Sequence, residues 1–472
     1  MKTFVTILRQ VAGRTAILLL VVTAVDRPGF VAAQNPDQEP SKNQENSDHS
    51  GSTGGDENVI IRTDEGQTEV GRTYAKVGQK RVVLLPDGTL IERGPTEITV
   101  TERPFEPLSK DLLAARLTAG LPGFQTRQSR RYLYVYNTSA EFALATSRIL
   151  ETMFPGVVAY AEAQQIDVSE PELPLVALMF RTEAQFQEYQ RMPPGVVAYY
   201  NVLTNRVVMY EESKLQDLKP ELAIQQSIAT IAHEGAHQVL NNIGVQKRLS
   251  VWPMWLSEGL AEFFAPTSTD RRLKWKGAGQ VNDMRMFELE QYIKGRAADV
   301  PNGKMVADTV AAARLTSTGY ASAWALTHYL AKNERVAFNR YVREVSKLGP
   351  FQGLGKIRSP GIIPENLSSF REHFDEDLET IERRLVLHLR KQPYVDPFAD
   401  WPHFAALVGY TDGNRTHRDA NVFHSETMAT RWIEETEARI PETHRPTARH
   451  QIRTFQNRAL AERAAREFLG GR

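Results

Sequence analysis

IAHEGAHQVLNNIGVQKRLSVWPMWLSEGLAEFF, residues 231–264, is the segment from which the rest of the chain can be ordered. It contains His-Glu-x-x-His at His233, Glu234 and His237. Two imidazoles four residues apart share one face of a helix, and the glutamate between them sits about 100° round from the first. This is the layout of a zinc site with a built-in base. Ile228, Ile231, Ala232, Ala236, Val239 and Leu240 make the surrounding helix apolar. Three polar side chains buried in such a helix need partners, and a divalent cation supplies one.

Pro220 and Glu221 suit a first helical turn, and Gly244 suits a position just past the end, so the spacing predicts a helix to about Asn242. Both histidines then lie mid-helix, a rigid platform for metal ligands. Catalytic zinc takes three protein ligands and keeps a position open for water. The metzincin pattern would place Gly and His three and six residues after His237, where this chain has Leu240 and Ile243. The other solution is a glutamate on a following helix. Glu258 lies 21 residues after His237 (258 − 237), enough for a turn and a returning helix. Glu262 follows one turn later on the same face, placed to accept the second ring N–H of a liganding histidine and so fix its tautomer.

Composition limits what this segment can belong to. The chain has 472 residues, 41% of them apolar, which suggests two or three domains. Lys plus Arg and Asp plus Glu are 57 each, so no global field favours nucleic acid. There is no cysteine. Disulfides and thiolate ligands are excluded, leaving His, Asp and Glu for any metal.

Toward the N-terminus, Lys2, Arg9 and Arg14 precede the apolar run Thr15–Val25, and Val31, Ala32 and Ala33 offer small residues ahead of Gln34. Residues 1–33 read as a signal peptide, so the expected location is exported, periplasmic or extracellular, with membrane association only through an uncleaved signal segment. Residues 34–58, rich in Ser, Gly, Asn and acids, read as a disordered linker. From 59 to 107 short β-type runs alternate with turn residues, among them Pro86-Asp87-Gly88, and a small antiparallel β unit is expected.

A third segment, 108–392, begins with a helix capped by Ser109. A strand near Arg131–Tyr136, a helix over Ser139–Phe154, the buried strand Leu173–Phe180, a short helix at Glu183–Tyr189 and a hairpin of Gly195–Asn201 with Arg206–Tyr210 then follow. The predicted class is α+β: a mixed-sheet subdomain, then a mainly helical one. Phe370, Phe374, Leu378, Ile381 and Leu385 form one more helical stripe. Residues 394–404 read as a loop, and 393–472 as a charged, helical region. Its arginines carry no aromatic or glycine-rich pattern of a nucleic-acid site.

His233-Glu234-x-x-His237 followed by Trp255-Leu-x-Glu258-Gly-Leu-Ala-x-Phe263 resembles the gluzincin (peptidase MA-like) metallopeptidases, including the aminopeptidase N-like branch with its W-L-N-E-G-F-A signature. The arrangement is more similar still to an exported bacterial domain-of-unknown-function family of that superfamily, over roughly 108–392. The resemblance implies His233, His237 and Glu258 as ligands of Zn2+, Glu234 as general base, and a peptide or protein substrate. Tyr320 opens a segment, Gly319–Leu330, similar to the family's helix whose tyrosine hydroxyl steadies the carbonyl oxygen. Aminopeptidases of this clan carry Gly-x-Met-Glu-Asn on an upstream strand. The comparable stretch here, Gly195–Asn201, has no acid, so the amine anchor is missing while Tyr199 and Tyr200 remain candidates to line the substrate cleft. Two functions are left open: an exported zinc peptidase, and a non-catalytic module of the same fold that binds an envelope or extracellular partner.

Overall fold

The short apolar runs between residues 59 and 100 fold as an antiparallel meander, because each run is too short to bury surface except by pairing with its neighbour. The strands are β1 (Ser52–Thr53), β2 (Asn58–Arg62), β3 (Thr68–Val77), β4 (Lys80–Leu84), β5 (Leu90–Arg93) and β6 (Ile98–Val100). Their order is β5-β4-β3-β2-β6, with β1 paired to β3. The computed structural model describes residues 52–53, 57–62, 66, 68–212, 220–268, 274–296, 300–356, 361–374 and 377–470, with only the helical backbone over 220–226. The signal segment and most of the linker lie outside the described residues. The linker's described residues join the sheet, Ser52 pairing with Lys76 and Asn58 with Arg72.

Next come α1 (Lys110–Ala119), β7 (Gln125–Gln128), β8 (Tyr132–Tyr136), α2 (Ala140–Ala163), β9 (Leu175–Phe180), α3 (Glu183–Tyr189), β10 (Ala198–Asn201) and β11 (Arg206–Tyr210). The sheet order is β10-β11-β9-β8-β7, parallel where β9 meets β8 and β11, antiparallel at both edges. Side chains alternate between two buried faces. Leu133, Val135, Val176, Leu178, Tyr199 and Val208 join Leu113, Leu117 and Phe186 from α1 and α3. The opposite face, with Tyr200 and Val207, meets α2 and a long helix, α4 (Pro220–Asn242). A strand buried on both faces reads as a continuous apolar run, which is why Leu175–Phe180 has no alternation.

Helices then dominate: α5 (Met254–Phe264) and, after the short pair β12 (Thr267–Ser268) and β13 (Lys274–Trp275), α6 (Asp283–Lys294), α7 (Lys304–Ala311), α8 (Ser317–Asn333), α9 (Arg335–Val345), α10 (Pro364–His373) and α11 (Leu378–Leu389). The α+β class expected from sequence is the class observed. The chain divides into two compact units, one running to Gln280 and including Met305–Leu385, the other combining Val281–Lys304 with Val386–Arg472. Among the described residues no helix is long and apolar enough to cross a membrane.

Three local expectations need correction, and one strand, β7, was not expected at all. The helix at Ser139 continues to Ala163 through Pro155, because Val157 and Ala161 bury themselves and offset one lost backbone bond. The polar strand β7 gave no apolar signal because all four of its residues are exposed at the sheet edge. The Phe370–Leu385 stripe is shared by two helices, α10 and α11. The 393–472 region is not all helical, nor is 394–404 all loop: β14 (His403–Asp412), β15 (Arg415–Phe423) and β16 (Arg449–Phe455) form a sheet in the order β15-β14-β16, beside α12 (Glu426–Ala438) and α13 (Arg458–Leu469). Central β14 supplies backbone partners to both flanks, so exposed arginine-rich sequences are held as strands without a period-2 pattern of their own.

Candidate metal centre

The site is built where α4 and α5 pack together and α8 packs on α5. Gly235 lets α4 approach α2, since a Cβ there would sit 2.3 Å from a Leu150 methyl. Gly259, beside Glu258, does the same for α5 and α8: a Cβ would lie 2.7 Å from the Ala323 carbonyl oxygen. Trp255, fully buried, stacks on Tyr341 with ring centroids 5.8 Å apart and anchors the start of α5. The glycines and the tryptophan of the motif are therefore packing residues that set where the polar ones meet.

Those polar residues converge. His233 Nε2 and His237 Nε2 lie 3.2 Å apart. Glu258 Oε2 lies 3.2 Å from the first and 3.4 Å from the second. His233, His237 and Glu258 are all buried and together could hold a metal ion. On the far side of its ring, His233 Nδ1 is 3.1 Å from Glu262 Oε1. A carboxylate there favours the proton on Nδ1, which turns the Nε2 lone pair toward Glu258 and His237. Three potential ligand atoms then face one another, an arrangement that a metal ion or a proton on a ring nitrogen would satisfy. The donor set, two imidazoles and a carboxylate oxygen without sulfur, suits zinc and other divalent transition metals.

The electrostatics express the same demand for positive charge. Burial alone would lower the His233 pKa, but Glu262, Glu258 and Glu234 outweigh it and hold it up at about 10. Burial would raise Glu258, yet His237 and His233 pull it down to about 2. Glu234 goes the other way: its burial wins against the two imidazoles and pushes it up to about 7. Its Oε2 accepts the backbone N–H of Tyr200 at 2.7 Å, while its buried Oε1 has no hydrogen-bond partner. One oxygen is fixed and the other is free to accept a proton.

Tyr320 is buried in the first turns of α8, its ring centroid 6.3 Å from that of His233. Tyr199 and Tyr200 divide between the two faces of the sheet. The Tyr199 ring packs in the α1–α3 core and its hydroxyl donates to Gln190 Oε1 at 2.9 Å. The Tyr200 hydroxyl donates to Asn205 Oδ1 at 2.8 Å, so what Tyr200 brings to the site is its backbone amide. Trp324 and His328, on the same helix as Tyr320, are buried. Gln238, next to His237, carries no motif signal, yet its Nε2 donates to Val176 O at 3.0 Å and Asn205 O at 2.9 Å and fastens α4 to the sheet. A backbone amide and a helix-to-sheet amide leave no trace in a residue pattern.

Fold and site thus define an α+β protein with a buried His-His-Glu cluster that could hold a metal ion. Residues 227–352 match a family described as a protein of unknown function (DUF1570). The match begins within α4 and spans both histidines, Glu258 and Tyr320. No curated protein matches the chain.

Proposed function

We propose that the protein is an exported zinc metallopeptidase that hydrolyses peptide bonds. The observation that carries the reading is Glu234. It is buried beside the ligand cluster, one carboxylate oxygen held by the Tyr200 amide and the other unpartnered. A purely structural metal site has no use for such a group. His233, His237 and Glu258 would hold the ion, and the chemistry it supplies when bound is Lewis-acid activation of water and of the peptide carbonyl. Glu234 takes a proton from water at Oε1 and later passes it to the leaving amine. Glu262 holds the His233 ring in orientation. The Tyr320 hydroxyl donates a hydrogen bond to the carbonyl oxygen as negative charge develops there.

Metal analysis of the purified protein, together with hydrolysis of a mixed peptide library with and without chelator, tests the reading. Bound zinc with chelator-sensitive cleavage supports it. Metal-free protein that cleaves nothing would favour the alternative, a non-catalytic module that binds an envelope or extracellular partner.

A further inference from the structure

The turn between β10 and β11 is tied down on two sides. Toward α4, Asn205 takes a left-handed φ of 58° and exchanges two 2.7 Å amide hydrogen bonds with Asn242. Its carbonyl accepts from Gln238, and its side chain accepts the Tyr200 hydroxyl.

On the other side stands the N-terminal β unit. Arg248, 5% exposed, donates from Nε to Val202 O at 2.8 Å, from one terminal nitrogen to Leu203 O at 2.8 Å, and from the other to Gly88 O at 2.9 Å. The Leu90 amide donates to the same Leu203 carbonyl at 2.7 Å, and Arg206 pairs with Asp87 at 3.3 Å. Beneath these bonds Ala75, Val82, Leu84 and Leu90 of the β unit share one core with Leu173 and Leu249. Leu249 itself sits at φ 65°, a conformation disfavoured for a residue with a Cβ.

A guanidinium withdrawn from water and given neutral carbonyls is a costly way to join two turns, and apolar contact would serve stability better. What its planar, five-donor fork adds is direction. Val202 directly follows β10, the strand whose Tyr200 amide meets Glu234.

From this geometry we infer that Arg248 is a positioning residue. It fixes the β10–β11 turn to the β unit's 86–89 turn and so sets the placement of β10 at which the Tyr200 amide reaches Glu234. The β unit is then a permanent part of the site, not a cover removed to open it. The catalytic consequence rests on the peptidase reading; the clamp itself does not.

Full-length Arg248→Met and Arg248→Lys test it. In Arg248→Met, amide hydrogen exchange over residues 198–206 should quicken at least about tenfold, since three hydrogen bonds from a charged donor are lost. Metal content should stay at the wild-type level, because the ligands sit on α4 and α5. On a cleaved peptide kcat should fall about tenfold or more with KM within about twofold, the mark of a misplaced reacting group. Arg248→Lys should lie between the two. Unchanged exchange overturns the clamp. Faster exchange with metal retained and kcat unchanged overturns the positioning role, and loss of metal overturns it too, by making Arg248 a scaffold residue of α4. If Arg248→Met does not fold, Arg248→Lys carries the comparison with the same overturning outcomes. Wild-type protein that cleaves no peptide defeats the peptidase reading instead, and exchange over 198–206 still decides the clamp.

Discussion

In the first compact unit, His233, Glu234, His237, Glu258 and Glu262 bring three carboxylates and two imidazoles together in a buried cluster. In the second, Glu290, Asp396 and Glu462 converge on one guanidinium. Arg458 holds Glu290 with two bonds of 2.7 and 3.0 Å, Asp396 at 2.7 Å and Glu462 at 2.8 Å. Lys294 adds a second cation, 3.0 Å from Glu290. The second cluster contains its own positive charge and staples the 281–304 segment to the C-terminal chain. The five residues named in the first include no lysine or arginine, and that cluster could hold a metal ion. The ligand atoms of the first cluster converge within 3.4 Å among fully buried groups, whereas Glu290 and Glu462 of the second keep part of their side chains exposed beside the arginine.

The sharpest way to break this contrast is Glu234→Gln, which should keep the metal and lower peptide hydrolysis by about a thousandfold, within the usual range for a lost general base. Full activity of that variant on an unstructured substrate would remove the role assigned to Glu234. Glu262→Ala should weaken metal affinity by about 10- to 100-fold, read by chelator competition, since the group that orients His233 is gone.

In the second unit, Arg458→Met should leave metal content untouched and destabilise by about 2 kcal/mol, because Glu290 and Asp396 lose a charged donor. A denaturation midpoint measures it, and loss of metal in this variant would mean the two clusters are coupled. The smallest effect concerns pH. Burial would raise the Glu290 pKa, but Arg458 and Lys294 outweigh it and hold it below its ordinary value. A depressed carboxyl contributes stability that is fully present above its unfolded pKa, near about 4.3, and lost as pH falls through the lowered folded value. The stability gap between wild type and Glu290→Gln should therefore shrink on acidification below about pH 4; a gap that widens would contradict it.

How much of this was legible beforehand differs from residue to residue. The two histidines, Glu234, Glu258 and Glu262 follow from helical periodicity and the ligand number of zinc, both of which are local. The Val59–Val100 meander, the buried strand at Leu175–Phe180 and the cap at Ser109 were equally readable, each from its own neighbours. The sheet in the C-terminal region was not, because β15 and β16 owe their conformation to β14 and not to their own side chains.

The sequence by itself determined that two helices would carry a His-His-Glu set with Glu234 between the histidines, since that placement depends on residue type and on a 3.6-residue period. Only the tertiary structure decided that the Tyr200 amide would meet Glu234, that Tyr199 would turn to the opposite face, and that Arg248 would reach Gly88, 160 residues away in the chain, and join two turns. Those contacts are made by backbone groups or across long separations. Every residue has an N–H and a C=O, so no residue pattern marks the ones that will be used.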